Sequence, residues 1–284
     1  MDNTRRSPGK VADTASARPA LAARARCDRI IVVACAVSIT ALAWLYLVRL
    51  AHTMPMDAVA GRPMDAMADM PMSMAMPTPA SWSLAELAFL FWMWLLMMVG
   101  MMVPSAAPVM LLFAAAQARR GAREARVAVS LFALGYAIVW TAFSAIAALA
   151  QWSLHASAML SPAMAASSTR VAGAILCAAG VYQLLPLKSA CLSRCRSPIA
   201  FLMTRWRDGL PGALEMGLRH GGWCLGCCFA LMTVLIAVGV MNLLFVAALA
   251  LFVLLEKTGP AGLVVARAGG VLLLAAGVFM LATG

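Results

Sequence analysis

Four side chains able to bind a soft metal or to do thiol chemistry fall within nine residues of this chain, at His220, Cys224, Cys227 and Cys228. At about 100° of rotation per residue, a helix holds all four on one face. The apolar run behind them is long enough to cross a bilayer. A second pair, Cys191 and Cys195, precedes them at i, i+4 spacing. Rise along a helix limits sharing: His220 and Cys228 stand about 12 Å apart at 1.5 Å per residue, whereas neighbours at i, i+3 or i+4 can hold one ion. One ion would therefore take two ligands from 224–228, or His220 with Cys224, and the rest from Cys191 and Cys195. Two thiolates suffice for linear Cu(I), while zinc wants four nitrogen or sulfur ligands in a tetrahedron. A zinc clamp of Cys191, Cys195, Cys224 and Cys227 is the alternative on those grounds. The C-x-x-C spacing also permits thiol–disulfide exchange, which makes a membrane oxidoreductase the third reading.

Sulfur of a different kind fills an earlier stretch. Eight methionines occur in the 23 residues from Met54 to Met76, at spacings of two and three and broken by proline and glycine, so they cannot form one packed helix face. Thioether sulfur is a neutral, soft donor that needs no deprotonation, which suits Cu(I) outside the cytoplasm. His52, Met54, Met56, Met70, Met72 and Met74 are the candidate ligands there, in a pattern similar to the methionine motifs of periplasmic copper-resistance proteins. Further along, Glu86, Met93, Met97 and Met101 fall on one helical stripe, a carboxylate above a methionine ladder. A carboxylate near the start of a membrane span attracts cations, so Glu86 is expected at the mouth of a relay from loop to thiols.

The elements that must position these residues are read from hydropathy. A chain of 284 residues that is 64% hydrophobic and 12% charged lies far from the roughly one-quarter charge of a soluble domain. Apolar runs at 30–48, 84–113, 127–150, 171–187, 225–254 and 262–282 predict an all-α, polytopic membrane bundle of about six transmembrane helices. Gly100 and Pro104 are candidate breaks in the second. The net charge of +11 does not indicate nucleic acid, because it is sided. With the N-terminus inside, seventeen of the 22 Lys and Arg residues lie in cytoplasmic segments, as the positive-inside rule requires. The expectation is a bacterial inner-membrane protein with both termini cytoplasmic. Residues 1–29 are then a disordered tail, 30–48 an uncleaved anchor, 49–83 a methionine-rich extracytoplasmic loop, and 84–284 a metal-binding membrane domain with the cysteines at its cytoplasmic boundary.

Several motifs in one register carry a resemblance: Met93-Trp94 through Pro104-Ser105, then Tyr182-Gln183 through Cys191, Cys195 and Pro198, then Gly217 through His220, Cys224, Cys227 and Cys228, and lastly Met241-Asn242 and Glu256-Lys257. Over residues 84–284 the chain resembles a bacterial family of predicted metal-binding integral membrane proteins, domain of unknown function 2182. It carries Phe229 where the family's pattern has tryptophan. The resemblance implies a metal-binding membrane protein. No G-x-x-x-x-G-K-[ST] and no C-x-x-C-H occurs, which disfavours a self-sufficient ATP-driven pump and a c-type cytochrome. The residues thus point to a binding protein rather than an enzyme: one that holds a soft ion, foremost Cu(I), in copper homeostasis or delivery. Its partners would be the lipid bilayer and a metal chaperone or membrane complex.

Overall fold

The computed structural model describes residues 8–53, 83–117, 121–156, 168–240 and 242–284. Their secondary structure is helical throughout: α1 Pro8–Thr53, α2 Leu84–Gln117, α3 Ala122–Ala156, α4 Thr169–Leu184, α5 Pro186–Arg196, α6 Pro198–Arg205, α7 Gly209–Val238, α8 Leu243–Thr258 and α9 Gly262–Thr283. Five helices are long and apolar enough to cross a membrane, or six if the bent pair α4–α5 counts as one span. The all-α expectation therefore holds. The segment 1–29, expected without structure, is helical from Pro8 onward, as its Ala and Arg content favours. Met54, Met56, Met70, Met72 and Met74 lie outside the described residues.

Two prolines do not break α2. Pro104 and Pro108 sit inside one continuous helix, although proline at position i leaves the carbonyl of i−4 without its donor. For Pro104 that carbonyl belongs to Gly100, and the Trp44 indole of α1 donates to it at 3.3 Å. A break is avoided because a neighbouring helix supplies the missing N–H.

Breaks occur elsewhere. Leu185 is extended, with φ −67° and ψ 146°, the conformation imposed on a residue before proline. Pro186 then opens α5, and the axis bends by 64°. The predicted fifth span of 225–254 is two helices, not one. Gly239 adopts φ 101°, open to glycine at little cost, and Asn242 caps the next helix by accepting from the Phe245 N–H at 3.2 Å. The helix that carries Cys228 and Met232 therefore ends at Val238, and Asn242 belongs to the next one.

Packing gives the directions. Trp44 on Gly100 and Trp94 Nε1 on Gln151 Oε1 at 2.6 Å make α1, α2 and α3 successive antiparallel neighbours. Helices α3 and α7 run parallel and close, since a Cβ at Gly217 would overlap the Phe132 backbone and one at Gly221, a turn further on, would press on Val139. Helix α9 lies antiparallel to α4 along Gly173, Gly180, Gly270 and Gly277, small residues that let two apolar helices approach. Gly284 consequently rests against Thr169, at the end of the bundle opposite the α2–α3 turn. The start of α1 and Gly284 therefore lie toward opposite ends of the bundle.

Candidate metal centre

The cysteines of α7 sit in the middle part of that helix. Cys224 is fifteen residues from Gly209 and fourteen from Val238, so at 1.5 Å per residue it lies about 21–22 Å from either end of α7. The segment 188–223 was expected as a cytoplasmic stretch, but α5 folds back against α7 and α6 packs Phe201 into the core with Phe113, Phe132 and Met216. Burial of Leu192 and Phe201 drives this docking. Arg194 over the Trp223 ring at 4.1 Å adds an exposed clasp between α5 and α7.

Within the bundle four thiols lie close together in a ring. Cys195 of α5 stands near enough to Cys224 and Cys227, and Cys224 to Cys228, for the thiols to influence one another electrostatically, and Cys227 Sγ lies 3.4 Å from Cys228 Sγ. All four are free and between 0 and 7% exposed. Cys191 is buried too, but it flanks the ring beside Gly226. The set brought together is thus Cys195, Cys224, Cys227 and Cys228, with Cys228 in the place expected for Cys191. Tyr182 holds the ring's backbone from the side, donating to the Gly226 carbonyl at 2.5 Å.

Two further groups close on Cys224, and neither was named as a site residue from the sequence. Lys257 Nζ donates to Cys224 Sγ at 2.9 Å and reaches Ser105 Oγ at 3.3 Å and Met102 Sδ at 3.5 Å. The Tyr136 hydroxyl lies 3.1 Å from Cys224 Sγ and 3.3 Å from the Met102 carbonyl. An apolar run of 225–254 read straight through Gly239 leaves Lys257 beyond its far end. Folding α8 back brings it inside. An ionisable pair such as Glu256-Lys257 in an apolar run was the available signal.

Behind this layer lies a buried ion pair. Lys188 of α5 donates to both oxygens of Glu256 in α8, at 2.7 and 2.9 Å, and also to Gln183 Oε1; Gln183 Nε2 returns a bond to Glu256 at 3.0 Å. Arg196 donates to the carbonyls of Glu256, Gly259 and Pro260. The last carbonyls of α8 have no intrahelical partner, and the guanidinium takes that role. With Glu256 committed to Lys188, the Cys224 sulfur, at 2.9 Å, is the nearest acceptor for the Lys257 ammonium.

His220 lies one turn before Cys224, stacked near Phe132 and Tyr136 and tilted against Phe201. It is 1% exposed, and neither ring nitrogen has a partner. A buried polar atom without a partner costs about 1–3 kcal/mol, which a ligand would offset. Among the described residues no three His, Cys, Asp or Glu side chains stand around one ion position. The sulfurs pack on each other and on Lys257 instead, and small rotations would be needed to converge them.

The remaining candidates are dispersed. Glu86 forms a capping box, accepting from the Ser83 N–H at 2.8 Å while its own N–H meets Ser83 Oγ at 3.4 Å; its carboxylate serves the start of α2. His52 is exposed in the last turn of α1. Met93, Met97 and Met101 are buried core residues, with Met93 and Met97 packed towards Leu47, Val240 and Val246. The methionine that touches the centre is Met102, one residue beyond the expected ladder.

The described residues thus form an all-helical bundle with helices long and apolar enough to cross a membrane and a buried cluster of free thiols. Residues 91–280 match the family described as PpoB2, copper chaperone, and the chain belongs to that family. The metal-related part of the motif resemblance is thereby carried to copper, under this family name rather than that of domain of unknown function 2182. Comparisons with curated proteins and with solved structures gave no match.

Proposed function

We propose that the protein is a multi-pass membrane copper chaperone that holds Cu(I) on the thiol ring of Cys195, Cys224, Cys227 and Cys228, with His220 as an additional donor. The observation that carries this reading is the ring itself, in a chain of a copper chaperone family. Cu(I) is satisfied by two or three soft ligands, and a ring of thiols on two helices offers such pairs without rebuilding the fold. On this reading residues 84–284 form the metal-binding domain in the lipid bilayer of a bacterial inner membrane, and 30–48 is the anchor. Residues 49–83 are a loop on the other side from the basic segments. A protein partner would receive the metal, and nucleic acid has no part. Thiol–disulfide exchange is disfavoured by burial, since a disulfide substrate must reach the attacked sulfur.

The test is metal analysis of protein purified without oxygen in detergent, followed by titration with Cu(I) in competition with a strong cuprous chelator. Binding that survives the chelator and protects the ring thiols from alkylation is the expected result. Stoichiometric zinc that resists removal, with unfolding when it is stripped, would replace this reading with the structural zinc alternative.

A further inference from the structure

Two ways lead from the surface to the thiol ring, and they differ in width. From the end carrying the methionine-rich loop, a metal would have to pass Met93 and Met97. These border a space of about 20 Å³ with Leu47 and Val246, room for about one water. From the other side, a cleft of about 460 Å³ opens between α1, α2 and α3. It reaches from Arg126, near the start of α3, up to Trp140, and so spans the distance from one end of the bundle to the level of the ring.

The wall of this cleft carries sulfur. Met98, Met102 and Met110 line it from α2, and Cys35 lines it from α1. Its floor is made by Met102 and Tyr136, the two residues that also touch the centre: the Met102 sulfur meets Lys257, and the Tyr136 hydroxyl meets Cys224. Between cleft and ring stand only the ends of side chains. Methionine has three rotatable bonds and moves at low cost, so the partition can open without shifting a helix.

We propose that Cu(I) reaches and leaves the thiol ring through the cleft between α1, α2 and α3, handed across Met98 and Met102, and not along Met93, Met97 and Met101 from the methionine-rich loop. This rests on the Cu(I) reading above and adds the route. The transfer is ligand exchange without redox change. The bond from copper to Met102 Sδ breaks as the bond to Cys224 Sγ forms, and copper stays Cu(I). Cys224 takes copper as the thiolate that the Lys257 ammonium faces, so no proton leaves it; Lys257 keeps its own proton and gives up its contact with Cys224 for Ser105. Thioethers suit the approach because they are neutral and bind more weakly than thiolates, so the gradient of affinity runs from the cleft into the ring.

Detergent-purified full-length protein is mixed without oxygen with Cu(I) held by a coloured cuprous chelator, and both the rate and the final extent of colour loss are read. The Met98→Leu/Met102→Leu variant keeps side-chain volume nearly constant. It should load about tenfold more slowly or worse, a barrier difference of about 1.4 kcal/mol, and reach the same final copper content. The Met93→Leu/Met97→Leu variant should load as the unsubstituted protein does. The reverse pattern, or equal rates in all three, overturns the route; a lower final content in the first variant also overturns it, by making Met102 a ligand of the ring. As a check independent of core substitutions, Cys35 is alkylated with a bulky maleimide in a Cys27→Ser/Cys177→Ser background. Slow loading supports the cleft, and unaltered loading overturns it. If the unsubstituted protein takes up no copper, the functional reading itself fails, which is a separate result.

Discussion

Cys224→Ser should weaken Cu(I) binding by roughly 100-fold or more, because even partners that only orient a metal ligand are worth about 10–100-fold in affinity. Cys224 is the most connected sulfur of the centre, close to Cys195 and Cys228 and in contact with Lys257 and Tyr136. A serine there offers a hard oxygen in place of a soft sulfur, and it also removes the acceptor closest to the Lys257 ammonium. Cys191→Ser is the informative contrast. Cys191 is equally buried but lies beside Gly226, outside the ring, so its loss should change affinity by less than about threefold, under 1 kcal/mol. Chelator competition on both variants, with helicity checked by circular dichroism, separates the two. Equal losses would mean that the ligand set is the Cys191-containing clamp expected from the sequence.

The largest effect on stability is expected from Glu256→Gln. Lys188 and Glu256 are both 0% exposed, and removing one partner of a buried pair costs about 3–5 kcal/mol, since the other charge is left in a medium that solvates it poorly. The neutral amide can still accept one bond, so the loss falls on charge rather than on shape. Replacing both residues with methionine should recover most of the deficit, because a well-packed apolar pair is often as stable as the ion pair it replaces. The same variants read out the centre. Lys188 is seven residues before Cys195 on α5, so Glu256→Gln should also speed alkylation of Cys195 as α5 loosens from α8. A double variant no more stable than the single would show that the pair acts through its hydrogen bonds to Gln183 and not through charge.

The apolar runs were legible because lipid-length hydropathy is a property of sequence alone, and so were the two cysteine segments, whose residue types stand out. What could not be read was which faces meet. Met93, Met97 and Met101 repeat every four residues, but Met98 and Met102 do so as well. Periodicity gives both stripes the same standing, and only the docking of α3 decides that the second one faces the thiols. That docking depends on Gly135 and Gly217, two residues with no side-chain signal. Glu86 was read as a cation trap although Ser83, three residues earlier, spells a capping box. The largest misreading came from Gly239. A single positive φ within an apolar run turned one expected span into two helices and moved Lys257 from beyond the end of that span to the centre of the protein.

That same turn has a consequence for the parity of the chain. After reversing at Gly239 and again between Thr258 and Gly262, the polypeptide finishes on the face opposite to the one from which α1 starts. Anything fused to Gly284 is therefore displayed beside Thr169, at the start of α4, whereas α1 begins far along the opposite direction from Trp44 and Gly100. Two labels, one at Gly284 and one in the first turns of α1, stand at separate ends of the bundle and cannot meet on one molecule.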